Sequence, residues 1–352
     1  MRRICLYLLL AVPFSHGITA AGQNPSAQSS RDTPGEPASH LKEAQKAITS
    51  GHLDEALKEL DLLAAMNPEP AGVERLRGFA YYQQRKMADA EAAYSKAVAQ
   101  DSTDVESMQM QGLALYSLGR PAEAIPLLEK AHVAVAEANV DPNYVLGVCY
   151  IAVRRYDDAR RAFAAQYGFG PDSALAYLLA ARLLLRQENP VSEEFARKAI
   201  ALQPDLPFAH LLLGEVALAR AQLPEAIAEL NKEQELNPLE GSVYDRLGDA
   251  YVRSGDDNKA QQELSRAMLL EPNSTGPYIL LGKVMLNQQN YLLAELYLER
   301  AVSMDPNNSI AHNLLGQAYR RMGRTADANQ QIETAERLQN GKKGAPKFES
   351  VH

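Results

Sequence analysis

Residues 241–274, GSVYDRLGDAYVRSGDDNKAQQELSRAMLLEPNS, show the clearest structural pattern in the chain. In the first half of this stretch, apolar and small residues recur at i, i+3, i+4 and i+7: Tyr244, Leu247, Gly248 and Tyr251. This spacing places all four on one face of a helix. The first half therefore predicts an amphipathic helix whose packed face includes a glycine.

The second half predicts a tight turn and another helix. Gly255 suits a left-handed helix end, and Pro272 stops the chain from continuing as a helix. Between them, Ala260, Leu264 and Ala267 lie at i, i+4 and i+7. The unit is therefore helix, tight turn, helix and loop, and we expect the two helices to approach closely where Gly248 faces Ala260.

The same unit repeats along most of the chain with a period of 34 residues. Glycines mark the period, and Gly147 falls one residue late: Gly78, Gly112, Gly147, Gly214, Gly248, Gly282 and Gly316. Nine units begin at Pro37, Ala71, Val105, Val140, Ser173, Pro207, Gly241, Thr275 and Ser309. Alanine stands in the glycine position of the first and fifth units, as Ala44 and Ala180. A repeat of this length predicts stacked units with one continuous core.

These residues resemble the tetratricopeptide repeat, and the resemblance covers residues 37–342. Two units carry it best, through Gly78, Tyr81, Ala90, Tyr94 and Ala97 in the second and Tyr278, Leu281, Gly282, Ala294, Ala301 and Pro306 in the eighth. The resemblance implies an all-α fold, a right-handed α-solenoid of about nine helix-turn-helix units. It also implies a concave groove lined by the first helix of each unit.

In this family, positions 2, 5, 9 and 12 of the first helix point into the groove. Carried onto this chain, these positions give a largely apolar middle and a polar, charged C-terminal end. The predicted partner-binding residues are Tyr144, Tyr177, Phe208, Leu211, Asp245, Asp249, Lys283, Asn313, Gln317 and Arg320. The apolar middle also takes in Val148, Ile151, Ala181, Leu184 and Leu218. A register error that places core residues in this set is the competing interpretation for units four to six.

Composition and motifs argue against other classes of protein. The formal charge of −8 disfavours a general nucleic-acid binder. Neither GxxxxGK[ST] nor GxGxxG occurs, so no nucleotide or other cofactor is expected. Ser39 and Lys42 fit a loose SxxK without its companion motifs, and we predict no catalytic residue and no enzyme activity.

The histidines and cysteines favour packing over chemistry. No histidine pair has a metal-ligand spacing, so no metal is expected. His210 and His312 occupy the packing position that Tyr244 holds in its own unit. Cys149 lies mid-helix beside a repeat glycine, and we predict that it is buried and inert.

The two ends of the chain differ from the repeats. Residues 1–22 combine a basic start, an apolar run and small residues, the order of a secretory signal peptide. Residues 23–36 predict a flexible linker, and residues 343–352 a disordered tail after a last helix over Ala326–Gln339. We therefore expect an exported protein, periplasmic or secreted, without a membrane-spanning segment in the mature chain. Sequons at Asn273 and Asn307 matter only in a glycosylating pathway.

Together these features predict an exported protein-protein interaction scaffold. It would bind a peptide or helix of a partner in the groove, and analogy with envelope proteins suggests help in assembling a cell-envelope complex. A self-associating structural spacer and an enzyme subunit with an unrecognised site are the alternatives. The sequence leaves the partner and the oligomeric state open.

Overall fold

The computed structural model describes residues 37–134 and 143–344, and these residues form nine helical hairpins. The first helices of the hairpins are α1 (Pro37–Thr49), α3 (Val73–Gln83), α5 (Val105–Ser117), α7 (Asn143–Ala152), α9 (Ala174–Leu185), α11 (Ala209–Ala219), α13 (Gly241–Ser254), α15 (Thr275–Asn287) and α17 (Ser309–Arg321). The second helices are α2 (Leu53–Ala64), α4 (Met87–Gln100), α6 (Pro121–Ala134), α8 (Tyr156–Gln166), α10 (Val191–Leu202), α12 (Leu223–Leu236), α14 (Asp257–Leu270), α16 (Tyr291–Met304) and α18 (Thr325–Gly344). The all-α repeat solenoid predicted from the sequence is confirmed.

Each helix packs against its partner in the hairpin, and each second helix except α18 packs against the first helix of the next hairpin. Buried alanines and leucines from successive hairpins join in shared clusters, one of which runs from Leu115 of α5 to Leu213 of α11. A single hairpin could not bury this apolar face alone, so each repeat depends on its neighbours. The core is therefore elongated along the array, not gathered at one centre.

The repeat glycines make room for a large side chain from the second helix. A Cβ atom built on Gly248 would lie 2.4 Å from Cδ2 of Leu264, and one on Gly147 would lie 2.5 Å from Cε1 of Phe163. The close approach predicted at Gly248 is confirmed, but the side chain over the glycine lies 16 residues later, not 12 as at Ala260. The side chain of Leu264 fills the space beside Gly248, whereas Ala260 lies one turn earlier on α14.

The turn inside each hairpin uses a left-handed residue. Gly255 has φ +82° and caps α13, as predicted. In other hairpins a non-glycine residue adopts positive φ at the turn, among them Arg85 at +59° and Ala221 at +58°. The hairpin geometry therefore imposes this conformation even where no glycine is present to favour it.

The predicted ends of the chain are only partly described. The signal peptide (residues 1–22), the linker (residues 23–36) and the tail from residue 345 onward lie outside the described residues. The last helix runs to Gly344, past its predicted end at Gln339, so residues 343 and 344 of the predicted tail are helical. Gly341 lies inside this helix, and a glycine inside a helix costs only about 1 kcal/mol. In the described part of the chain, every helix is too short or too polar to cross a bilayer.

Candidate functional site

The first helices line the inner side of the array. Nearly all successive first helices come within contact distance of one another, from α1 through α17. Successive second helices in the described residues make no comparable contact. A stack that is closer on one side curves toward that side, so the first helices form the concave face. Solenoids use such extended concave surfaces for binding.

The predicted groove residues Asp245 and Asp249 belong to a network of charges on this face. Arg246 of α13 donates from Nε to Glu215 Oε1 of α11 at 3.1 Å. Arg182 of α9 approaches the same carboxylate at 3.7 Å. Further along α13, Arg253 lies 3.5 Å from Asp249. Charges on three successive first helices are thus paired with one another.

Asp245 is a mostly buried carboxylate of this network, with 18% of its side chain exposed. Burial raises the pKa of Asp245, and the nearby Asp249 and Glu271 raise it further, while Arg246 opposes them. Its Oδ2 atom lies 3.4 Å from Arg246 Nη1, and its Oδ1 atom is buried without a hydrogen-bond partner. The absence of a side chain on Gly276 of α15 leaves room beside this carboxylate, because a Cβ there would lie 3.2 Å from Oδ1.

The apolar middle predicted for the groove is mostly core. Leu211 is only 2% exposed and packs in a cluster that includes Val243 and Leu247 of α13. Four other residues assigned to the groove are also buried: Ile151, Ala181, Leu184 and Leu218. Leu211 therefore offers no surface to a partner, because the following hairpin covers it.

Two predicted groove tyrosines pack inside their own hairpins. The Tyr144 ring lies 5.8 Å from that of Phe163, and the Tyr177 ring meets that of Phe195 edge-on at 5.5 Å. The partly exposed Tyr177 lines a shallow depression with Lys198 of α10, not with other first helices. Phe208 is half-buried against the clusters on both sides of it. These three aromatic side chains serve mainly to join helices.

The C-terminal end of the concave face is open to solvent. Lys283, Gln317 and Arg320 are exposed and Asn313 is half-buried. Gln317 Nε2 donates to Asn313 Oδ1 at 2.6 Å. Among the described residues, no carboxylate lies within ion-pair distance of Lys283 or Arg320. Together with Ile310, which is 60% exposed, these four residues form what we call the C-terminal concave patch.

The histidines and the cysteine predicted to be structural do pack in the core. Nδ1 of His210 lies 2.6 Å from Glu229, and Nε2 of His312 lies 3.0 Å from the carbonyl oxygen of Pro306. Cys149 has no exposed surface, and burial raises the pKa of its thiol to about 12. Glu215, which joins the charged network, was missed by the sequence prediction although it occupies position 9 of its unit.

Comparison with known proteins identifies the repeat. Models of the tetratricopeptide repeat match residues 41–105, 115–183, 241–274, 276–308 and 297–336. No curated protein matches the chain by sequence.

Solved structures with similar architecture have low sequence identity. The crystal structure of MamA is 21% identical over 47% of this chain and 97% of that chain, with a TM-score of 0.42. YrrB, described as a TPR protein with an unusual peptide-binding site, is 22% identical over 51% and 94%, with a TM-score of 0.43. The APC/C hetero-tetramer Cut9-Hcn1 is 17% identical over 79% and 55%, with a TM-score of 0.44.

Proposed function

Since the chain belongs to the tetratricopeptide-repeat proteins, we propose that it is an exported scaffold that holds a segment of a partner protein against its concave face. The C-terminal concave patch carries this proposal. Among the described groove residues, Asp249 and Glu215 are paired with arginines, and Leu211 is covered by the next hairpin. At the patch, two unpaired cations and an exposed isoleucine lie beside a hydrogen-bonded pair of amides.

The chemistry of the patch favours an acidic partner segment with an apolar side chain. Lys283 and Arg320 supply unpaired positive charge in a chain whose formal charge is −8. The amides of Asn313 and Gln317 can donate to and accept from a peptide backbone. Ile310 offers an apolar surface to a side chain of the segment. Opposite charge increases the association rate and selects among partners.

Binding can be tested with peptide panels on the purified protein. We expect acidic peptides with a central leucine or phenylalanine to bind, and the same compositions with lysine in place of the acids not to bind. The double variant Lys283→Glu/Arg320→Glu should lose at least tenfold in affinity. Arg300→Glu/Arg337→Glu makes the same charge change on second helices and is the matched control. Equal loss in both variants, or no preference for acidic peptides, would contradict the proposal.

Export is proposed from the N-terminal sequence. Met1, Arg2 and Arg3 precede an apolar run and then small residues up to Gly22, the order that a secretory translocase recognises. Expression in a bacterial host followed by cell fractionation and intact mass measurement tests this. We expect the mature chain outside the cytoplasm, cleaved near Ala20–Gly22, and a full-length chain in the cytoplasm would overturn it. Help in assembling an envelope complex is the role we propose for such an exported scaffold.

Self-association is the second candidate, and exposed leucines on the second helices favour it. Leu269 is 75% exposed, Leu292 is 73% exposed and Leu296 is 59% exposed. Large apolar side chains that cluster on a protein surface often mark an interaction site. Light scattering over a wide concentration range distinguishes the two: a monomer throughout removes the structural-spacer candidate, and a reversible increase in mass favours it.

A further inference from the structure

We infer that His40, Glu43 and Glu59 form a binding site for a divalent transition-metal ion, with zinc as the natural probe. His40 and Glu43 lie on α1, and Glu59 lies on α2. Each offers one ligand atom, and these atoms all lie within 4.8 Å of one another. One imidazole nitrogen and two carboxylate oxygens form a donor set that zinc accepts.

The geometry needs little change to hold an ion. His40 and Glu43 are three residues apart on one helix, so their side chains share a face. Nδ1 of His40 already lies 2.6 Å from Oε2 of Glu59. Zinc bonds to nitrogen and oxygen are about 2.1 Å and zinc sites are tetrahedral, so two ligand atoms of one ion lie about 3.4 Å apart. The contact between His40 and Glu59 must therefore lengthen by about 0.8 Å. His40 and Glu59 are partly exposed and Glu43 is exposed, so rotations of the three side chains can make this adjustment.

The repeats provide an internal comparison. The histidine at the same position in two other hairpins faces the residue 19 positions later, also at 2.6 Å: His210 faces Glu229 and His312 faces Gln331. Three residues after the histidine, the first hairpin has Glu43, whereas the other two have Leu213 and Leu315. Of these three hairpins, the N-terminal one therefore has the third donor.

Solvent access also separates this hairpin from the others. The side chains of His40 and Glu59 are 27% and 31% exposed, against 11% and 12% for His210 and Glu229. An ion from solution can thus reach the first pair more easily, whereas the second pair is mostly buried and its Glu229 already binds Lys232 at 2.9 Å. His210 and Glu229 occupy the same repeat positions as His40 and Glu59, and their contact is structural.

A bound ion would stabilise the end of the array. Terminal repeats lack a neighbour on one side and are the first to open. Metal binding to the folded hairpin adds its binding free energy to folding. Three protein ligands would leave at least one coordination position for water. We therefore expect the ion to tie α1 to α2, at the opposite end of the array from the C-terminal concave patch.

Zinc titration of the full chain without a polyhistidine tag tests the site. After treatment with a chelator, calorimetry should show one ion bound per chain with Kd below about 100 µM. Glu43→Gln should weaken binding at least tenfold. The side chain of Glu43 is exposed, so this variant keeps the fold. His210 occupies the repeat position of His40 but has no third donor beside it. His210→Ala is therefore the control and should leave the affinity for zinc unchanged.

Hydrogen exchange provides a second measurement. Zinc should slow amide exchange in α1 and α2 of the wild type, and this effect should disappear in Glu43→Gln. Zinc binding that is equal in the wild type, His40→Ala and Glu43→Gln would overturn the proposal, since the ion would then sit elsewhere. Failure of the wild type to bind at about 100 µM zinc would overturn it as well.

Discussion

Glu233 of α12 accepts a hydrogen bond from the backbone N–H of Phe208 at 2.7 Å, immediately before the first residue of α11. Its other carboxylate oxygen accepts from the N–H of Leu211 at 3.2 Å. No side chain of α11 caps this end. The fully buried Glu233 therefore caps the N-terminus of its partner helix, where negative charge is also favoured by the helix dipole.

Removing this carboxylate should destabilise the sixth hairpin. Glu233→Ala leaves two backbone N–H groups and the side-chain amide of Asn237 without this acceptor, and we expect a loss of about 2 kcal/mol in the free energy of unfolding. Glu233→Gln keeps an acceptor and should lose less. Urea unfolding followed by circular dichroism measures the loss, and amide exchange at Phe208 and Leu211 should localise it. The exposed neighbour Glu235→Gln is the control, and an equal effect there would contradict the capping role.

Adding a methyl group at a repeat glycine should also destabilise the array. Gly248→Ala places a Cβ against Leu264, and overpacking of this kind costs about 1–3 kcal/mol. Combining it with Leu264→Ala should cost less than the sum of the two single changes. The fifth hairpin already has the pair Ala180 and Ala196, which is small at both positions.

Gly341 provides the matched control for the glycine series. It lies in α18, and a Cβ there would meet no atom within 4 Å. Gly341→Ala should therefore be neutral or stabilising by up to about 1 kcal/mol, because alanine is the better helix former. Urea midpoints of the wild type and the four variants measure the coupling, and strict additivity of Gly248→Ala and Leu264→Ala would show that the two residues do not compete for space.

The raised pKa of Asp245 predicts that the free energy of unfolding depends on pH. Because burial raises the pKa of this carboxyl in the folded state, the folded chain takes up a proton more readily than the unfolded chain. Ionised Asp245 therefore lowers stability at neutral pH, and this cost is relieved as the pH falls through the raised pKa. Asp245→Asn should raise the free energy of unfolding at pH 7 by about 1 kcal/mol.

The difference between Asp245→Asn and the wild type should shrink as the pH approaches the ordinary pKa of aspartate. Urea unfolding between about pH 4 and pH 8 measures this trend. The exposed Asp205→Asn serves as the control and should change stability by less than about 0.5 kcal/mol at every pH. A constant gap for Asp245→Asn across the range would exclude the titration of this carboxyl as its cause.

The thiol of Cys149 should be unreactive in the folded protein. With a pKa of about 12 and no exposed surface, it is neither ionised nor accessible at pH 8. In a Cys5→Ser background, Ellman's reagent should modify the native chain at most slowly and the urea-unfolded chain completely within minutes. Fast modification of the native chain, or a covalent dimer under oxidising conditions, would show that the α7 region opens.

Most of the fold could be predicted from the sequence because a hairpin is a local structure. The spacing around Gly248 fixes both helices, and Gly255 fixes the turn between them. The burial of Cys149 and His210 follows from their positions in the repeat. The groove residues were predicted less well, because a residue's position in the repeat does not determine how much of its side chain is exposed to solvent. Leu211 and Lys283 both occupy groove positions, yet one is buried and the other exposed.

The period, the helical hairpins and the small residues that let paired helices approach can be predicted from the amino-acid order, since they depend on contacts within about 20 residues. Which groove positions stay open depends on how each hairpin covers the one before it, so this is visible in the folded array alone. The same holds for the capping of α11 by Glu233 and for the contact of Glu59 with His40 and Glu43. Each of these polar contacts joins two helices, so it depends on how the side chains pack where the two helices meet.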